Sequence, residues 1–92
     1  NNSHMNQIRY GQIAKYGEQR GNIGNKLGDV PFGTFAEMLD GYGEEVRAPN
    51  EIGPSLRRAR EAVQCDGKSA VLNVWVDPDE YAPGTKAQTM YK

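Results

Sequence analysis

Residues Ala70-Val71-Leu72-Asn73-Val74-Trp75-Val76 constrain this chain more than any other stretch. A run that is apolar at odd and even positions alike has no polar face to give to water. It reads as a strand inside a parallel sheet with helices over both faces. Pro78 ends it. Such a strand needs neighbours, and the residues ahead of it supply candidates. Asn50 reads as the N-cap of a helix in which Ile52, Leu56, Ala59 and Val63 form one apolar stripe at steps of four, three and four. Pro54 then falls among the first four helical residues, whose amides have no intrahelical acceptor. Arg57, Arg58, Arg60 and Glu61 are left for the solvent side. Glu45-Val46-Arg47 is a brief extended segment closed by Pro49. Thr34 and Glu37 have capping-box spacing, so a short helix is expected to start there, carry Phe35, Met38 and Leu39, and stop at Gly41. The order helix, short strand, helix, buried strand predicts an α/β fold. More specifically, it predicts the C-terminal portion of an open, mostly parallel sheet domain with flanking helices. Two strands do not make a stable sheet by themselves, so more strands are expected in the same domain.

The first third of the chain is less regular. Residues 1–6 read as a loop, because Asn and Ser side chains compete for backbone hydrogen bonds. A helix is expected from Gln7 to about Gln19, weakened by Gly11 and broken by Gly17 and Gly21. From Gly21 to Gly33 the punctuation by Asn22, Gly24, Asn25, Gly28 and Pro31 predicts an irregular loop. Residues 79–92 form a polar tail without periodicity.

Composition narrows the possible functions. Ninety-two residues with 37% hydrophobic content, eleven glycines and five prolines, and a mean hydropathy of −0.78, fit a piece of a larger domain better than a self-sufficient one. The net charge of −1, with both signs interspersed, gives no electrostatic footprint for nucleic acid. No apolar run approaches the ~20 residues of a membrane helix, and no secretory signal pattern is present. Cys65 is the lone cysteine, which excludes an intramolecular disulfide and agrees with a reducing, cytoplasmic setting. It reads as a partly exposed structural residue at a helix end, with no basic neighbour to activate it.

The opening Asn1-Asn2-Ser3-His4-Met5-Asn6-Gln7-Ile8-Arg9 resembles the end of the thiamine diphosphate (TPP) binding motif, in which G-D-G is followed after a couple of dozen residues by N-N. Three further stretches resemble that family's patterns in the family's order. Gly33 to Val46 is similar to D-F-x-x-x-A-E-A-F-G-x-x-G-x-x-V. Glu51-Ile52-Gly53-Pro54-Ser55-Leu56-Arg57-Arg58-Ala59 is similar to E-L-x-P-A-L-x-x-A. Lys68 to Pro78 is similar to G-K-P-A-V-I-N-V-x-V-D-P. Together they cover most of the chain, and acetolactate synthase-like enzymes are the nearest in pattern.

The resemblance implies a carboligase or decarboxylase, a transferase or lyase acting on 2-keto acids, with TPP and Mg²⁺ as cofactors and a homo-oligomeric parent. Carried over residue by residue, Asn2 is a side-chain oxygen ligand to Mg²⁺ and His4 a ligand through its main-chain carbonyl. Met5 lies near the thiazolium and diphosphate. None of the 92 residues is assigned a catalytic role, since the family's activating glutamate belongs to another domain. The G-D-G aspartate is not among them either, and a hard cation held near octahedral geometry wants carboxylate and phosphate oxygens too. The expectation is therefore a C-terminal fragment, residues 1–92, of a TPP-binding domain, inactive by itself. The rival expectation is a stand-alone small α/β binding or regulatory module whose Asn-Asn start is accidental.

Overall fold

A computed structural model describes residues 1–80 as five elements: α1 (Asn6–Gly21), α2 (Phe32–Met38), β1 (Tyr42–Val46), α3 (Pro49–Cys65) and β2 (Ala70–Val74). They fall into two compact units. One comprises Asn1 and Pro31–Val76; the other holds Asn2–Val30 and the segment from Asp77. Of the tail expected over 79–92, only Asp79 and Glu80 lie within the described residues. No helix among those residues is long and apolar enough to cross a membrane.

The first unit is a β-α-β arrangement with an extra helix. β1 and β2 are parallel, in register from Tyr42 opposite Ala70 to Val46 opposite Val74, and α3 is the crossover that parallel pairing requires. Side chains alternate across a strand, so Tyr42, Glu44 and Val46 share one face while Gly43 and Glu45 share the other. α3 covers the first face, where Arg58 Nε and Nη2 both donate to the Glu44 carboxylate. α2 lies on the second, with Gly33 backbone to backbone against Gly43 and Glu44. An α/β layering with helices on both faces is what the buried run predicted. The described sheet, however, has two strands and not the larger open sheet expected.

The helix starts differ from expectation, and the causes are tertiary. α2 begins at Phe32 with Pro31 as N-cap, which puts Thr34 inside the first turn instead of at a capping box. Gly33 holds that turn against Glu44; a Cβ on it would come within 2.9 Å of the Glu44 backbone. α3 begins at Pro49 after the extended Ala48, so Asn50 is not the cap. Glu51 does the work instead. Its Oε2 accepts from the main-chain N–H groups of Arg47 and Ala48, at 3.2 and 3.3 Å, where a carboxylate also meets the positive end of the helix dipole. With this start Pro54 lies beyond the first four residues and removes a true intrahelical bond, the one to the Asn50 carbonyl.

The apolar stripe is also turned. Ser55, Ala59 and Ala62 are the buried residues of α3, while Ile52, Leu56 and Val63 remain 39%, 56% and 50% exposed. Small side chains let the helix approach the sheet closely, so the buried face follows size more than hydrophobicity. Val46, Ala36, Ala59 and Ala62 form the small apolar core. In β2 the most buried residue is Asn73, not one of its aliphatic neighbours.

α2 ends in a Schellman motif. Gly41 N–H reaches back to Ala36 O at 2.9 Å and Asp40 N–H to Glu37 O at 3.1 Å. The left-handed residue is Asp40, with φ 59°, and not the expected Gly41. Its ion pair with Lys68, 3.6 Å long and exposed, contributes little. Asp40→Gly is therefore expected to stabilise the unit by about 0.5–1 kcal/mol, read as a higher urea midpoint with an unchanged slope.

Glu44 also accepts from Tyr42 Oη at 2.7 Å. The Arg58 guanidinium, then the Tyr42 hydroxyl, hold its carboxyl below the usual carboxylate range. A depressed folded-state value adds stability that is full above the ordinary value of 4.5 and fades as pH falls through the folded one. Glu44→Gln is expected to lower the melting temperature at neutral pH and to converge with the parent chain in acid. Melting curves from pH 7 to 3 check this.

In the second unit, Gly17 breaks α1 with φ 80° and ψ 166°. The chain folds back so that Gly21 rests on Ile13, where a Cβ would meet the Ile13 Cα at 2.5 Å. Asn25 is buried and ties the bend together, its Nδ2 donating to Gly21 O at 2.5 Å and to Gln12 Oε1 at 3.0 Å. Arg9 pairs with Asp79 at 3.1 Å.

Candidate functional site

Asn2 and His4 share one tight turn. The side-chain Oδ1 of Asn2 accepts from the His4 main-chain N–H at 3.1 Å, and His4 Nδ1 stands 2.8 Å from the Asn2 carbonyl oxygen. A carbonyl acceptor at Nδ1 requires the proton there. Thus the imidazole braces the turn. Between the two residues Ser3 adopts φ 60°, a left-handed conformation costly for a side chain other than Gly, Asn or Asp. Its hydroxyl donates to Asp29 Oδ1 at 2.6 Å, and its carbonyl accepts from Leu27 N–H at 2.8 Å. His4 pairs with Lys26 as an antiparallel bridge, flanked by Met5 N–H to Asn25 O at 2.8 Å. The strained Ser3 is thereby held on both sides by the loop 25–29. Met5 follows the turn, half-exposed.

This donor set can be weighed against the Mg²⁺ and diphosphate that the resemblance implies. Asn2 Oδ1 and the His4 carbonyl are neutral hard oxygens, the right type for magnesium. Oδ1 has a second lone pair beyond the one taken by the His4 N–H. Among the described residues there is no group of three His, Cys, Asp or Glu that would hold a metal ion. Asp29, the carboxylate nearest the turn in bonding terms, is engaged by Ser3. The residues fit as part of a magnesium–diphosphate site and do not amount to a whole one.

Asn1 belongs to the sheet unit. Its amino nitrogen donates to Val74 O at 2.6 Å and its carbonyl accepts from Val76 N–H at 3.0 Å. Those two bonds pair it in parallel fashion with Trp75, just past the carboxyl end of β2. Asn1 thus stands past the carboxyl ends of the parallel strands, the end at which open α/β sheets bind their ligands. A cavity of about 220 Å³ opens at the same end, lined by Val46, Pro49, Ile52, Val74, Trp75 and Val76.

Trp75 makes two polar contacts there. Its Nε1 donates to Glu45 Oε2 at 3.0 Å, and the Arg47 guanidinium lies over its ring at 4.4 Å. Glu45 Oε1 is buried without a hydrogen-bond partner, as is Asn25 Oδ1. The alternation that puts Glu45 and Trp75 on one face was available in the sequence once the register was known. Asn25 had no such signal, since its role depends on the bend at Gly17. Cys65 is exposed at the end of α3, as expected. No family model, curated protein or solved structure matches the chain.

Proposed function

We propose that this chain is part of a TPP-dependent enzyme acting on 2-keto acids, of the acetolactate synthase-like carboligase or decarboxylase kind. In this reading Asn2, through Oδ1, and His4, through its main-chain carbonyl, are ligands of the Mg²⁺ that anchors the cofactor's diphosphate. The observation that supports it most is the Asn2–His4 turn. The side chain of the second Asn of a dipeptide with the sequence signature of a magnesium ligand pair meets the His4 amide, so the two residues assigned to the cation stand in one tight turn.

When bound, TPP supplies the nucleophilic thiazolium carbon and the electron sink for chemistry at the keto carbonyl. The chain's own residues anchor and orient. Asn2 presents one oxygen to the cation, the His4 ring keeps the turn closed, Ser3 and Asp29 fix its backbone, and Met5 offers an apolar surface beside the cofactor. The balancing carboxylate and the activating glutamate come from residues other than these 92, in a cytoplasmic homo-oligomer.

Titration calorimetry with TPP and Mg²⁺ tests the reading. The 92-residue chain is expected to show no micromolar binding. A chimera joining it to the Gly-Asp-Gly half of a TPP-dependent enzyme is expected to bind. Micromolar binding by the chain alone would point to a self-contained site, and a folded chimera that ignores TPP would remove the assignment.

A further inference from the structure

Two aspartates in this sequence precede a glycine, Asp40-Gly41 and Asp66-Gly67, and no asparagine does. An aspartate in that position can react with its own backbone, because glycine puts no Cβ in the way of its amide nitrogen and leaves the backbone free to turn. Both pairs follow the carboxyl end of a helix, one after α2 and one after α3, and both aspartates are exposed. Local sequence therefore ranks them alike. Their surroundings do not.

Gly41 is held. Its N–H donates to Ala36 O at 2.9 Å, and a Cβ on it would stand 3.0 Å from both Ala36 O and Ser69 O. The next amide, that of Tyr42, is bound to Ser69 O at 2.8 Å as β1 begins. The Gly41 nitrogen is thus engaged, enclosed and followed at once by sheet, and it reacts only after a local opening. Gly67 differs in each respect. Its N–H has no main-chain acceptor among the described residues. A Cβ on it would meet nothing within 4 Å. With φ 64° it stands in the left-handed region, inside an exposed turn of Asp66, Gly67 and Lys68. The main-chain bonds beside it are those of Asp66 N–H and Lys68 N–H, both to Ala62 O, at 3.2 and 3.1 Å.

We propose that Asp66-Gly67 is a site of spontaneous isoaspartate formation in the folded chain, and that Asp40-Gly41 is shielded from the same reaction. The Gly67 nitrogen attacks Cγ of the protonated Asp66 carboxyl. The new N–Cγ bond closes a five-membered succinimide, and the amide proton leaves with the carboxyl hydroxyl as water. Water then adds back to one of the two ring carbonyls. Opening the N–Cγ bond restores aspartate. Opening the original peptide bond leaves Gly67 joined through Cγ and the former main-chain carbonyl as a free carboxylate. Nothing is oxidised or reduced. The product carries one extra main-chain methylene in the connection from α3 to β2, beside the Lys68 bond that closes α3. It is also the group that isoaspartyl carboxyl methyltransferases accept, with S-adenosylmethionine as methyl donor. The inference rests on this turn and is independent of the cofactor assignment.

The test ages the full 92-residue chain in mildly acidic buffer, digests it with trypsin and measures isoaspartate in two peptides by mass spectrometry. Glu61–Lys68 carries Asp66, and Leu27–Arg47 carries Asp40. Isoaspartate is expected to accumulate at Asp66 at least about fivefold faster than at Asp40, the factor that one main-chain hydrogen bond is worth. In urea-unfolded chain the two rates are expected to converge. Methyl transfer from labelled S-adenosylmethionine to the aged folded chain is expected to be lost in Asp66→Glu, whose longer side chain does not close the five-membered ring, and kept in Asp40→Glu. Equal rates at the two sites in the folded chain, or faster reaction at Asp40, would overturn the proposal. So would a difference that persists in urea, since local sequence and not the fold would then set it.

Discussion

Gly43→Ala is expected to remove more than half of the stability of the sheet unit. The first Cβ at this position overlaps the carbonyl oxygen of Gly33, which belongs to α2 and not to a side chain that can swing aside. Relief requires α2 to lift off β1. That movement breaks the approach of Gly33 to the Glu44 backbone and uncovers Ala36, one of the few fully apolar core residues. Forced overpacking costs about 3 kcal/mol, against about 5 kcal/mol for the whole of a small domain. Trp75 is the only tryptophan and lies in this unit, so its fluorescence in urea follows the loss directly. Gly11→Ala serves as the contrast. Nothing lies within 4 Å of its added Cβ, and in a helix interior the exchange should gain about 1 kcal/mol. A Gly43→Ala chain unfolding within about 1 kcal/mol of the parent would mean that α2 does not pack as described.

That contact explains why some of this fold was legible in the sequence and some was not. The kinds of element and their order follow from local pattern, and the apolar run at 70–76 announced a parallel strand with helices on its two sides, but the strand ends at Val74 and Val71 and Val76 stay 39% and 54% exposed. Helix starts and faces depart from the local pattern where backbone meets backbone. Gly33 on Glu44 draws α2 back to Phe32. The close approach through Ser55, Ala59 and Ala62 turns the larger Ile52, Leu56 and Val63 outward. A hydrophobicity pattern scores size as burial, and here small residues hold the interface. Phe35 and Met38 of α2 and the Leu39 that caps it are exposed as well, and apolar residues clustered on a surface mark contact regions. The Asn2–His4 turn could be anticipated from its motif. Its braces could not, because Ser3 to Asp29 and Met5 to Asn25 link residues twenty or more apart, through a loop with no periodicity.

In the chimera with the Gly-Asp-Gly half, Asn2→Ala is expected to raise the magnesium concentration needed for half-maximal TPP binding at least tenfold to hundredfold. Outer-shell changes alone reach that range at metal sites, and this one removes a ligand atom. Asn2 has two roles, however. Its Oδ1 also accepts the His4 N–H, and losing an ordinary hydrogen bond of this kind costs about 1 kcal/mol. The two losses differ in their dependence on magnesium. A looser turn weakens TPP binding by a constant factor, whereas a missing ligand shifts the magnesium requirement and leaves binding recoverable at high magnesium. Asn2→Asp keeps an oxygen acceptor for the amide and gives the cation a charged oxygen, so it should restore most of the affinity. His4→Ala removes the ring that reaches the Asn2 carbonyl but leaves the main-chain oxygen in place, and it should change affinity by no more than about fivefold, the equivalent of that one hydrogen bond. If His4→Ala abolished binding while Asn2→Ala left the magnesium requirement unchanged, the imidazole and not the asparagine would be the ligand, and the assignment of oxygens to Mg²⁺ would have to be reversed.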